Sequence, residues 1–497
     1  MSTPGAQGPE PEGDLTSQVR SGLSWSFGSN IFSRITTLVT GVIMARLLAP
    51  EDFGVFAVAM VAMTILVNIN DLGLEQSVVR WPGDIARVAP TAVTVIFGFS
   101  AFLCAACLIG AGPFSRALGA PEATPIVRLL ALGLIFNGAF AVPSAILTRE
   151  FRQDKRTYAD LTGFVVGTVI TLVLAVMGFG PWALAWGRFI GNAVVSLMHV
   201  AFVPQRFRPG WDGHVALDLL RSGLPLGGAT LVAVALLNID YMFVGRLLGT
   251  EELGYYTLAF NLASWPVTFF AVAVARVSVP AFARLQHDRL KLQAVYDRSS
   301  LVLLAVTLPS CLLLAVFANP LIRFVYGDKW APAVTVLRLL AGLGLLRVLY
   351  QFWADVFVAV GAGQRTLLSQ LCWLGALVPG LVIGVRWGLT GVGLAHILVA
   401  AVVVGPVLVV CLRGVVTLRP TLTGWAHLAV ASTVAGAAGS GVLTLGLPRF
   451  WTLAVGTLVT LGVYTTAIWP LALRLGFQRW WLRAGLRQVT GRFRTTG

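Results

Sequence analysis

The segment Arg46-Leu47-Leu48-Ala49-Pro50-Glu51-Asp52-Phe53-Gly54-Val55-Phe56-Ala57-Val58-Ala59 returns at positions 246–259 as Arg246-Leu247-Leu248-Gly249-Thr250-Glu251-Glu252-Leu253-Gly254-Tyr255-Tyr256-Thr257-Leu258-Ala259. Two further landmarks keep nearly the same offset. Arg128-Leu129-Leu130-Ala131 matches Arg338-Leu339-Leu340-Ala341, and Gly178-Phe179-Gly180-Pro181-Trp182-Ala183-Leu184-Ala185 matches Gly388-Leu389-Thr390-Gly391-Val392-Gly393-Leu394-Ala395. The chain is a duplication, so it must fold as two homologous lobes related by an internal pseudo-symmetry axis. In transporters built this way the cargo sits near that axis.

The duplicated unit belongs in a bilayer. With 57% hydrophobic and 11% charged residues and a mean hydropathy of +0.82, a soluble fold of 497 residues could not hide its apolar surface from water. Cutting the apolar runs at Pro, Gly and charge clusters leaves fourteen segments near the roughly 20 residues that cross a hydrocarbon core. The expected architecture is an all-α polytopic membrane protein. A tail at 1–20 lacks a signal-peptide core; an N-lobe at 21–204 holds spans 1 to 6; a linker covers 205–216. A C-lobe at 217–413 holds spans 7 to 12, two extra helices fill 414–474, and a basic amphipathic tail ends the chain at 475–497.

Basic residues orient these spans. With the N-terminus inside, twenty-three of the thirty-six Lys and Arg fall on the cytoplasmic side, nine outside and four within spans, which puts both termini in the cytoplasm. That distribution explains the net charge of +15 without a nucleic-acid partner. The final tail, with Arg479, Trp480, Trp481, Arg483, Arg487 and Arg494, suits anionic lipids of the inner leaflet. Six is an even number, so the lobes insert in the same sense. The five cysteines all lie in apolar runs, where neither a disulfide framework nor a metal site is expected.

Six charges stand well inside spans: Arg34, Arg188, Asp240, Arg276, Arg347 and Asp355. At roughly 3 kcal/mol each, exposure of all six to lipid would cost on the order of 18 kcal/mol, more than the roughly 5 to 15 kcal/mol that holds a domain folded. Most must face a hydrated cavity or one another. Helical spacing places Asn30 and Arg34 on one face of span 1, and Asn68, Asp71 and Glu75 on one face of span 2. The matching helices of the second lobe carry Asn238 and Asp240, then Asn261 and Arg276. These polar faces outline an inter-lobe cavity. Arg34 would present a guanidinium fork to an anionic group such as phosphate, or pair with Asp71 or Asp240. Asp240 could balance an arginine, bind a coupling cation or carry a proton. Arg347, Gln351 and Asp355 follow at four-residue steps and read as an internal network within the second lobe.

The chain resembles the multidrug, oligosaccharidyl-lipid and polysaccharide exporter superfamily, in particular its Wzx-type polysaccharide flippases, from about Ser21 to Arg474. The likeness rests on Ala45-Arg46-Leu47-Leu48-Ala49-Pro50-Glu51-Asp52-Phe53-Gly54, on Asp71-Leu72-Gly73-Leu74, on Tyr326-Gly327-Asp328-Lys329-Trp330-Ala331-Pro332-Ala333 and on the six-plus-six-plus-two plan. It implies export of a polyprenyl-pyrophosphate-linked oligosaccharide by rocking of two lobes, with spans 1, 2, 7 and 8 lining the cavity. It suggests that Arg34 and Arg276 meet the pyrophosphate. Coupling to an H+ or Na+ gradient, no bound cofactor, and association with a polysaccharide polymerase and glycosyltransferases are further expectations.

The alternatives are a drug or cation antiporter of the same superfamily, a lipid II flippase, and a membrane glycosyltransferase or ligase. An antiporter's cavity would be biased acidic, whereas this one holds both signs. An enzyme would need an external catalytic pair. Glu51 and Asp52 are the obvious acidic pair, yet Glu251 and Glu252 repeat it on a turn of a few residues, and helix capping accounts for both.

Overall fold

The computed structural model of the chain describes residue 33 and residues 36–71, 74–150, 152–203 and 208–474. Both terminal tails, most of span 1 and the start of the linker lie outside them. The described residues form helices and turns, with no strand among them. Within the described residues, the apolar runs of the sequence fall on helices. Nine helices among the described residues are long and apolar enough to cross a membrane, and ten if one bent pair counts as a span. Large apolar side chains on these helices, among them Phe102, Ile109, Val176 and Leu458, stand exposed. That is a surface for lipid, not water.

The chain separates into two compact units, Met1–Gly254 and Tyr255–Gly497. The first holds α1 (Thr36–Leu47), α2 (Pro50–Asp71), α3 (Leu74–Arg80), α4 (Ile85–Ala117), α5 (Thr124–Arg149), α6 (Gln153–Val176), α7 (Pro181–Phe202) and α8 (Gly213–Leu248). The boundary falls one helix later than the linker at 205–216. Both ends of α8 explain why.

At its start the linker docks on α4. Thr94 Oγ1 donates to the Gly210 carbonyl at 2.8 Å, and the Asp212 N–H donates to Thr91 Oγ1 at 3.1 Å. The Asp212 carboxylate then caps α8 by accepting the His214 N–H. At its far end the two copies of the duplicated turn meet. A methyl group on Gly54 would strike the Thr250 carbonyl, and one on Gly254 would strike the Pro50 carbonyl. Glycine at the matching position of each copy lets each backbone approach the other. Beside them the Asp52 carboxylate accepts the Ala49 N–H at 2.9 Å, so this acid serves the turn as a cap.

The remaining helices of the first unit pair closely. Gly163 and Gly167 of α6 face Gly191 and Gly187 of α7, where a Cβ on any of the four would collide with the opposite helix. Small residues at such spacing let transmembrane helices touch through their backbones. Gly178 and Gly180 turn the chain between them in left-handed conformation, at φ +82° and +53°. Where α3, α4, α5 and α8 meet, Leu74, Val78, Val88, Ile96, Val142, Ile146 and Leu219 form one buried cluster. Arg149 donates to the carbonyls of Trp81 and Gly83 at 2.6 and 2.8 Å and closes the turn below it.

The second unit begins within α9 (Thr250–Ala263) and continues through α10 (Val272–Leu285), α11 (Arg289–Val316), α12 (Ala318–Val325), α13 (Ala333–Ala359), α14 (Gly363–Gly384), α15 (Gly388–Val399), α16 (Gly405–Leu412), α17 (Arg419–Leu443) and α18 (Arg449–Arg474). Span 8 bends by 45°. The bend falls between Ala271 and Val274, directly after a π-helical turn at Val267–Ala271 that follows Pro266, whose missing amide hydrogen bond loosens the ladder. Gly384 and Gly391 bring α14 and α15 into backbone contact, where a Cβ on either would strike the carbonyl of the other.

The Tyr326-to-Ala333 motif is structural. Gly327 takes φ +103°, Trp330 is fully buried with Tyr255 edge-on at 6.0 Å, and Asp328 accepts from both Arg323 at 3.1 Å and Arg449 at 3.0 Å. Arg449 beside Asp328, with Arg323 as second partner, holds this carboxyl below the usual carboxylate range. The two extra helices α17 and α18 lie on α11, where Tyr464 donates to the Ala305 carbonyl at 2.9 Å.

Candidate functional site

A polar cavity lies inside the first unit, a space of about 270 Å³ walled by α2, α3, α4, α5 and α7. Asp71 stands exposed at the end of α2, and Glu75 follows it on α3. Ser144 of α5 donates to Glu75 Oε1 at 2.9 Å. Asn70 is buried and accepts from Ser100 at 2.7 Å. Asn137 comes from α5, and Asn192, Ser196 and His199 come from one face of α7. His199 is buried, and its Nε2 has no hydrogen-bond partner. Among the described residues no three His, Cys, Asp or Glu side chains converge to hold a metal ion.

A second polar group occupies the other unit. The Arg347 guanidinium lies 4.6 Å from the centre of the Phe260 ring and donates to Ser264 Oγ at 3.4 Å. The Tyr256 hydroxyl and His396 Nε2 are 3.3 Å apart, both buried. One turn beyond Arg347, Gln351 Nε2 donates to Asp355 Oδ1 at 3.0 Å. The three residues at four-residue steps therefore divide: Gln351 and Asp355 join each other, and Arg347 reaches across to α9.

The other expected site residues are placed as follows. Arg34 and Asn30 lie outside the described residues. Asn68 turns back on its own helix and donates to the Thr64 carbonyl at 2.7 Å. Asn238 does the same with the Val234 carbonyl at 2.8 Å. Asp240 is 1% exposed and accepts the Tyr241 N–H at 3.1 Å. Asn261 and Arg276 are exposed in the second unit.

Of the expected polar faces, Asp71 and Glu75 line the cavity in the first unit, among the described residues. Asn70, Asn137, Ser144, Ser196 and His199 were missed. A signal for them existed: Asn192, Ser196 and His199 recur at helical spacing along α7, as do Asn137 and Ser144 along α5.

Residues 43–335 match the polysaccharide biosynthesis protein family. The lipopolysaccharide biosynthesis protein WzxC of Escherichia coli (strain K12) is 25% identical over 390 residues, covering 78% of this chain and 79% of its own. The succinoglycan biosynthesis transport protein ExoT of Rhizobium meliloti (strain 1021) is 26% identical over 391 residues, with 73% and 78% covered. The fold matches that of the lipid II flippase MurJ in an inward closed conformation, with a TM-score of 0.75 at 14% identity over 91% of this chain and 99% of the other. It also matches an inward-facing multidrug resistance transporter of the MATE family, with a TM-score of 0.58 at 18% identity over 74% and 92%. A duplicated helical membrane fold and a family match over more than half its length agree, and the chain belongs to the polysaccharide biosynthesis protein family of membrane proteins.

Proposed function

We propose that this chain is a flippase that carries a polyprenyl-phosphate- or pyrophosphate-linked oligosaccharide from the inner to the outer leaflet of the bacterial plasma membrane, for assembly of a surface polysaccharide. The observation that carries this reading is the similarity, across some three quarters of the chain, to proteins named for lipopolysaccharide and succinoglycan biosynthesis, one of them a transport protein. Cargo of that kind needs a hydrated route for a large polar head while the prenyl tail stays in lipid. A duplicated bundle moves such cargo by alternating access. Both termini lie in the cytoplasm on the distribution of basic residues. Arg34 and Arg276 are the proposed phosphate contacts, an H+ or Na+ gradient gives the cycle direction, and the working partners are a polymerase and glycosyltransferases. The chain's role is transport, without catalysis.

Deletion of the gene in its own host tests the reading. Lipid-linked oligosaccharide should accumulate on the inner leaflet and one surface polymer should be lost. Unchanged intermediates with altered drug sensitivity would instead support the small-molecule exporter that the MATE-like fold also accommodates.

A further inference from the structure

The polar cavity of the first unit is not required by the fold. The repeat offset that pairs Arg128 with Arg338 pairs Asn137 with Arg347, and the same offset pairs Asn192, Ser196 and His199 of α7 with Val402, Pro406 and Val409. The second repeat builds the equivalent helix with no polar group at these three positions. The first repeat keeps an amide, a hydroxyl and an imidazole on one stripe. Burying the His199 imidazole with Nε2 unpaired is unfavourable by about 1–3 kcal/mol. A cost without a structural return marks a binding surface.

We infer that this cavity binds one uncharged sugar ring of the cargo, an inference that takes its ligand class from the flippase reading. Its about 270 Å³ falls just under the roughly 300–1,000 Å³ of small-molecule sites. That suits one ring, not a chain of them. The lining carries amides, hydroxyls and carboxylates at separate points of the wall, with the half-buried Phe140 as an apolar face. Sugar hydroxyls both donate and accept, so they can serve Asn137, Asn192 and His199 together. A bare cation would leave most of the space unfilled, and the acidic groups do not converge as metal ligands do. The carboxylates of Asp71 and Glu75 accept from hydroxyls and repel a uronate. The sugar recognised is therefore a neutral hexose or its N-acetylated form.

The test uses the full-length protein in lipid nanodiscs and saturation-transfer NMR with methyl glucoside, N-acetylglucosamine and glucuronate as separate probes. At least one neutral sugar should receive transfer, and glucuronate should receive much less. Glu75→Gln removes the charge while keeping an acceptor for Ser144, and Asn192→Val installs the residue of the second repeat. Each should weaken neutral-sugar binding by about tenfold, the effect of one lost hydrogen bond of the stronger kind. Equal transfer in the wild type and both variants, a preference for glucuronate, or no transfer to either neutral sugar would overturn the inference. The flippase reading fails separately. Normal polymer in the deletion host would remove it while leaving sugar binding intact, whereas blocked export fully restored by both variants would remove the sugar site alone.

Discussion

The reciprocal glycine contact at the duplicated turn can be broken from either side. In Gly54→Ala the new methyl group meets the Thr250 carbonyl, and in Gly254→Ala it meets the Pro50 carbonyl. Both obstacles are backbone atoms, which cannot swing aside as a long side chain would. Relief must come from moving one turn away from the other. Overpacking of this kind costs about 1–3 kcal/mol, so each single variant should be destabilised by that amount. Because one separation relieves both clashes, the second substitution should add little to the first. A double-mutant cycle should therefore return a coupling of about 1 kcal/mol or more, within the range for directly contacting residues. The assay is denaturant unfolding of the wild type, both single variants and the double variant in one detergent, with helical circular dichroism as the readout. Two results would refute the argument: alanine at Gly54 tolerated within about 0.5 kcal/mol, or additive losses in the double variant.

Arg34→Ala should abolish export while the protein remains inserted at normal abundance, measured as surface polymer against membrane-fraction immunoblots; full export would remove the phosphate-recognition role. Asp328 has a folded pKa below its unfolded value, so the stability it contributes is present above about pH 4 and lost as pH falls through the folded value. Asp328→Asn should accordingly lower the melting temperature at pH 7, and the gap to wild type should close in acid. Gly187→Ala drives a methyl group into Thr171 and the Gly167 carbonyl across the α6–α7 crossing, and should cost about 1–3 kcal/mol by thermal unfolding. Tyr464→Phe gives up the bond to the Ala305 carbonyl that ties α18 to α11, a loss of about 1 kcal/mol in the same assay.

Helix positions were legible in the sequence because apolar runs of membrane length admit little else. The internal repeat was legible because its turn is a compact motif held by glycines at matching positions. The unit boundary was not. The linker composition around Arg206 and Arg208 looks like a break, but the segment from 208 onward is hydrogen-bonded to α4, and the tie at the other end of α8 depends on two backbones two hundred residues apart. The cavity was half legible. The helical spacing of span 2 found Asp71 and Glu75 and the search for charges in mid-span found Arg347, whereas the neutral amides and hydroxyls of α5 carry a smaller penalty in lipid and gave no alarm. Asn68 and Asn238 show another use of an intramembrane amide: each donates from Nδ2 to the carbonyl of its own helix four residues back.

The two repeats separate what the scaffold needs from what one copy has acquired. Gly54 and Gly254 share a role. Thr64 and Ser264 occupy matching positions and each bonds back to the carbonyl four residues earlier. Such pairs belong to the helix framework, and a change at either member should register as lost stability. Asn137 and Arg347 also match in sequence but diverge in use. The short amide lines an open cavity, whereas the long guanidinium spans the equivalent region to reach Phe260 and Ser264. Pairs of that second kind should register in cargo handling before they register in folding. Asn137→Arg puts the second repeat's residue into the first. It should fill the cavity at little cost to the fold and suppress export, and a loss of folding without prior loss of export would show that the cavity is structural after all.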